Sequence, residues 1–177
     1  MKISLSVSDE DYRIVGLAVL AIIIHIFESA IPSPLPGIKP GLANVITLAV
    51  FFLFGLRFAV WVTVLRVLVG SIVAGTFLSP TFLLSASGAF FSILVLYLVY
   101  QGRGLGLSCV GVAVLASMAH ISGQFLVAYL VFIQHEAIFY LLPVLLTVAL
   151  FFGLATGLIA KQLVMRAEKE IESSARP

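Results

Sequence analysis

Charge is scarce in this 177-residue sequence: 10% of residues are Asp, Glu, Lys or Arg, where soluble domains carry roughly 25%. Apolar residues make up 62% of it, and the mean hydropathy is +1.21. A water-soluble fold cannot hide that much apolar surface. Cysteine is nearly absent. The single one, Cys109, lies in an apolar stretch, which excludes a disulfide framework or a thiolate metal site within one chain and reads as inert packing. Acidic clusters are limited to Asp9-Glu10-Asp11, a poor site for Mg-diphosphate, and neither a Walker A loop nor a nucleophile elbow is present. The chain therefore cannot itself drive transport by binding ATP through that motif. The net charge of +2 comes from span ends and the tail, so it describes orientation in a membrane and assigns no nucleic-acid role.

What the sequence does have is long apolar runs. A hydrocarbon core about 30 Å thick needs about 20 residues of helix, and six segments meet that test: about Arg13–Ser29, a short one at Leu42–Leu56, Phe58–Thr76, Thr81–Tyr100, Leu107–Ile133 and Ile138–Ala160. The runs do not alternate, which excludes a closed β-barrel. The fold class is all-α, a polytopic bundle of six transmembrane helices. Its divisions are an N-terminal segment at 1–12, a transmembrane domain at 13–160 and a charged tail at 161–177 that extends the last helix. With no small-residue cleavage site after it, the first run is expected to be a retained span.

Placed on this map, Lys2, Arg13, Arg57, Arg103, Lys161, Arg166, Lys169 and Arg176 fall on one side, and Lys39 alone falls on the other. The positive-inside bias then puts both termini in the cytoplasm. Small residues four apart, among them Gly70/Ala74, Ser71/Gly75, Ser85/Ala89, Gly88/Ser92 and Ala149/Gly153/Gly157, let helix backbones approach closely in lipid. Packing within the chain is the favoured use of these pairs over a dimer interface.

The joint between the first two spans, from His25 to Asn44, holds Pro32, Pro34, Pro36 and Pro40. Each lacks an N–H and restricts its predecessor, so the joint is a stiff irregular loop, able to dip into the membrane where protein or water surrounds it. A loop of that kind can act as a lid. Glu28 stands three residues after His25 near the outer end of the first span, Lys39 follows on the loop, and Arg66 lies near mid-membrane in the third span. Buried charges in a bilayer are costly unless paired. Glu28 and Arg66 are thus either a structural ion pair or, with Lys39, a site for an anionic group, for which the planar fork of arginine is suited. His120 and Gln124, with Ser117, form a polar stripe on the fifth span that is either structural or ligand-binding, and Asn44 either caps the second helix or faces the loop. His25, Glu28 and His120 suit Zn or Ni by ligand type but lack a zincin spacing, so no metal is assigned. No cofactor is assigned either.

The block Pro36-Gly37-Ile38-Lys39-Pro40-Gly41-Leu42-Ala43-Asn44, followed by Gly55, Arg66 and Leu83-Leu84-Ser85 with Gly88, resembles the bacterial Gx transporter family. That family also goes by heptaprenyl diphosphate synthase component I. The resemblance covers about Arg13 to Ala160 and extends to the substrate-binding S components of energy-coupling factor transporters. It implies a six-span bundle in the bacterial cytoplasmic membrane, a long first loop that closes over a vitamin- or cofactor-like substrate, and a separate membrane coupling subunit with ATPases. It makes Glu28, Lys39, Asn44 and Arg66 the matching motif positions. Where S components often carry an Ala-x-x-x-Ala docking face, Ala18 and Ala21 stand three apart. A prenyl transferase needs carboxylates to hold Mg and diphosphate, and none is suitably arranged. Any part in isoprenoid synthesis would then be that of a noncatalytic membrane subunit of a heptaprenyl diphosphate synthase or redox assembly.

Overall fold

A computed structural model describes residues 9–30, 42–102 and 106–174. Inside a bilayer every backbone N–H and C=O must be satisfied within the protein, and these Leu-, Val- and Phe-rich runs meet that demand as helices. In chain order they are α1 (Asp9–Ala30), α2 (Leu42–Phe54), α3 (Leu56–Val73), α4 (Pro80–Gln101), α5 (Cys109–Val127) and α6 (Leu142–Ser174). No strand occurs among the described residues. The protein is an all-α membrane bundle. Among the described residues, four segments are long and apolar enough to cross a membrane, Leu56–Val73, Pro80–Gln101, Cys109–Ile133 and Glu136–Lys169; two shorter apolar stretches are Val15–Ile24 and Asn44–Phe54.

The breaks between helices have local causes. Gly55 separates α2 from α3 with φ of 90°, a conformation that a side chain would strain. Ser79 caps α4 by accepting from the Phe82 N–H at 3.3 Å, with Pro80 in the first turn, where a missing N–H removes no helical bond. Ser108 caps α5 through the Gly111 N–H at 3.1 Å. Beyond Val127 the helix widens into a π-helical turn, Ala128–Ile133, closed by Gln134 with φ of 41°. A 3₁₀ turn at Glu136–Leu141 then leads into α6, so the last helix starts later than the apolar run suggests.

The short α2 is the centre of the bundle. Val45 to Phe51 are all buried, as befits a helix that is apolar all round. Its 13 residues reach only about 20 Å, which is short of the membrane core. Ala18 and Ala21 of α1, Ala59 and Val62 of α3, and Leu96 of α4 pack in the same core. Ala18 and Ala21 therefore face inward, and the outward face of α1 is Val15, Val19, Ile23 and Phe27.

The small-residue pairs divide. On α6, Gly153 and Gly157 lie so close to α5 that an added Cβ would sit 2.8 Å from the Val114 Cα and 2.8 Å from the Ala113 Cβ, respectively. Packing within the chain is their role. On α3, Gly70 and Ser71 are buried but Ala74 and Gly75 are exposed.

Candidate binding site

The α2–Gly55–α3 hairpin sets the first part of the site. Thr47 and Thr63, each eight residues from Gly55, face one another with their hydroxyls 3.2 Å apart. The Thr63 hydroxyl donates to the Ala59 carbonyl at 2.8 Å, so Thr47 is the donor across the pair. One turn farther, Asn44 and Arg66 each stand eleven residues from Gly55, about 16 Å along the helices at 1.5 Å per residue. They share a level along the hairpin. Arg66 is 5% exposed, and Asn44 is half-buried two residues inside α2.

The second part joins α4 to α5. The Ser92 hydroxyl donates to the Ala116 carbonyl at 2.9 Å and meets His120 Nδ1 at 3.3 Å. His120 Nε2 lies 3.1 Å from Gln124 Nε2. The His120 ring is thus held between Ser92 of α4 and Gln124 of its own helix. The ring rests on Gly88, where an added Cβ would lie 2.6 Å from Nε2. Gly88→Ala is expected to displace the ring and cost about 1–3 kcal/mol by overpacking. Thermal unfolding in detergent checks this, with Ser92→Ala as the matching loss of the hydroxyl.

The two parts lie at one depth. A single cavity touches both Gly55 and Gly106, so those turns belong to the same end of the bundle. Arg66 is eleven residues past Gly55 and His120 eleven past Cys109. The expected polar stripe on α5 is broken, however. Ser117 faces α6, where its Oγ would lie 3.2 Å from a Cβ at Gly153, whereas His120 faces Gly88 of α4. Ser92, Thr47 and Thr63 are polar members that the sequence reading did not single out. For the threonines the signal was their equal distance from Gly55. The backbone of His25 and Glu28 lies on α1, but their side chains, all of Lys39 and the proline loop lie outside the described residues.

The family model described as heptaprenyl diphosphate synthase component I matches residues 17–163. The chain belongs to that family. No curated protein and no solved structure matches it. The heptaprenyl diphosphate synthase component I match runs from α1 into α6 and so includes Asn44, Arg66, His120 and Gln124, and it ends at the third residue of the charged tail. No group of three His, Cys, Asp or Glu that could hold a metal occurs among the described residues.

Proposed function

We propose that this chain is an S-component-like transport protein that binds a small vitamin- or cofactor-like molecule for uptake across the bacterial cytoplasmic membrane. The observation that carries the reading is Arg66, a permanently charged side chain that is 5% exposed halfway along an apolar helix. Ionisable groups at such depth mark substrate paths and paired sites. In this reading Arg66 and Lys39 bind an anionic or polar group of the substrate and Glu28 balances their charge. Asn44 adds a hydrogen-bonding amide at the level of Arg66, and His120 and Gln124 form the α5 side. The loop from Pro36 to Gly41 gates entry from outside. In the same reading six spans leave both termini on one side, the positive-inside bias makes that side the cytoplasm, and a separate coupling subunit with ATPases supplies the energy.

The deciding experiment is recovery of a bound small molecule from the purified protein by mass spectrometry, and its loss in Arg66→Met. Orientation has its own test. In a Cys109→Ser background, Tyr140→Cys, at a position 86% exposed within the 3₁₀ turn, is expected to react with a membrane-impermeant maleimide from outside the cell. Labelling only after the cells are broken would reverse the topology.

The family description favours a second reading, because a "component I" implies a companion. Under it the chain is a noncatalytic membrane subunit of a heptaprenyl diphosphate synthase or redox assembly, and the Arg66 cluster fixes helix register.

A further inference from the structure

The turn between α3 and α4, at 74–79, is uncharged, and no Asp, Glu, Lys or Arg stands anywhere between Arg66 and Arg103. Its large side chains point outward. Phe77 and Leu78 are exposed, Leu78 to 72%, and Leu78 is held at φ of 59°. That left-handed conformation is costly for a bulky residue, whereas Gly or Asn adopts it routinely. A turn in water would gain nothing from leucine there. The polar groups, in contrast, are bonded within the turn. The N–H groups of Ala74, Gly75, Thr76 and Ser79 donate to the Gly70, Ile72, Ser71 and Thr76 carbonyls at 3.0, 3.1, 2.8 and 3.0 Å. The Ser71 hydroxyl donates to the Leu68 carbonyl at 2.8 Å, and the Thr76 hydroxyl to the Ser71 carbonyl at 3.5 Å. Irregular backbone is kept out of lipid by polar groups left without partners, and these groups have theirs.

The connection from α5 to α6, at the same end of the bundle, gives a scale of depth. His120 of α5 rests on Gly88 of α4, which sets a common level. From there α4 reaches Ser79 in nine residues, whereas α5 and its π-helical turn reach Ile133 in thirteen. The α3–α4 turn therefore ends about one helical turn, roughly 5 Å, short of the other connection. Polar and charged residues appear only beyond Ile133, at Gln134, His135 and Glu136, all exposed. Just before them Leu130, Val131 and Ile133 are each more than half exposed, which on a membrane helix is surface for acyl chains. Hydrocarbon thus extends past the level of the α3–α4 turn. We propose that this turn lies below the headgroup surface of its leaflet and inserts Phe77 and Leu78 among the lipid acyl chains. Moving those two side chains from water into hydrocarbon offsets the backbone strain at Leu78. Arg66 stands nine residues before Gly75, about 13 Å along the helix, so an aqueous solute has no approach to it over this turn.

The test uses the full chain with Trp61, its single tryptophan, replaced by Phe, and adds one reporter at a time: Leu78→Trp, Phe77→Trp or Tyr140→Trp. Each protein is reconstituted in phosphatidylcholine vesicles with and without lipid brominated in its acyl chains. Fluorescence quenching by the bromolipid is compared with quenching by iodide present on both faces. Tyr140, 86% exposed within the 3₁₀ turn, reports the water side of the same end. Leu78→Trp is expected to be quenched several-fold more strongly than Tyr140→Trp by bromolipid and several-fold more weakly by iodide. Iodide quenching as strong as that of Tyr140→Trp overturns the proposal, because the turn is then in water. Bromolipid quenching no stronger than that of Tyr140→Trp also overturns it, and protection from both quenchers would mean that a second copy of the chain covers the turn. Should Leu78→Trp fail to fold, Phe77→Trp, an exchange of one aromatic ring for another at an exposed position, decides by the same comparison.

Discussion

Gly157→Val is expected to lower the unfolding free energy by about 3 kcal/mol, at the upper end of typical overpacking costs. A Cβ at this position would lie 2.8 Å from the Ala113 Cβ and 2.9 Å from the Val110 Cα. Neither atom is the end of a flexible side chain, so α6 must move away from α5. In lipid no hydrophobic force draws helices together, and their association depends on close packing of the kind this glycine allows. Moving α6 away also disturbs Gly153 one turn earlier and the long contact between the Cys109 Sγ and the Gly157 carbonyl at 3.9 Å. Gly16→Ala provides the control. A Cβ there meets nothing within 4 Å, and alanine is the better helix former, so stability should not fall and is expected to rise by up to about 1 kcal/mol. Chemical or thermal unfolding of both variants in the same detergent checks the pair. A Gly157→Val protein as stable as the parent would return this stripe to the role of an interface between chains.

The sequence made the helices legible because bilayer thickness leaves one way to satisfy so long an apolar backbone. The expected short span at Leu42–Leu56 agrees with α2 at Leu42–Phe54, and Gly55 supplies the break. The tail, with Lys161, Arg166, Glu168 and Lys169 exposed, continues α6 through Ser174 as a helical extension. The far end of α5 was not legible. Nothing in Ala128–Ile133 distinguishes a π-helical turn from an α-helix, because the difference lies in which carbonyl each N–H selects. Nor did periodicity show that His120 and Ser117, three apart, serve different neighbours. That division follows from where Gly88 and Gly153 bring in α4 and α6.

Much the same holds for the candidate site. Arg66 stood out because a charge in an apolar run is conspicuous at any register, and its burial agrees with that. Its polar neighbourhood is a matter of hairpin geometry. The Thr47–Thr63 contact fixes the level that Asn44 and Arg66 share, and hydroxyls of that kind are too common in membrane helices to be noticed without the pairing. Ser92 was visible only as half of a small-residue pair with Gly88. Its hydroxyl in fact links the Ala116 carbonyl to the His120 ring.

Arg66→Met should abolish recovery of a bound ligand while the bundle still folds. Methionine keeps much of the volume and removes the charge, so it separates the two readings of this residue better than alanine, which would also leave a cavity. If the guanidinium binds an anionic substrate group, its loss removes a charge-assisted, two-pronged hydrogen bond. Truncating one partner of a buried charged pair typically costs 2–5 kcal/mol, so the Kd should rise by on the order of a hundredfold or more. Arg66→Lys retains charge without the fork and should fall in between. If Arg66 instead belongs to a structural ion pair, its removal strands the opposite charge and destabilises the bundle by about 3–5 kcal/mol. Replacing Arg66 and Glu28 together with apolar residues should then restore stability. The readouts are thermal unfolding and equilibrium binding of whichever molecule co-purifies with the parent protein. An Arg66→Met protein that melts with the parent and keeps its ligand at parental affinity would rule out both roles for this side chain. A protein that melts early, is rescued by the double replacement and never yields a ligand would favour the membrane-subunit reading over transport.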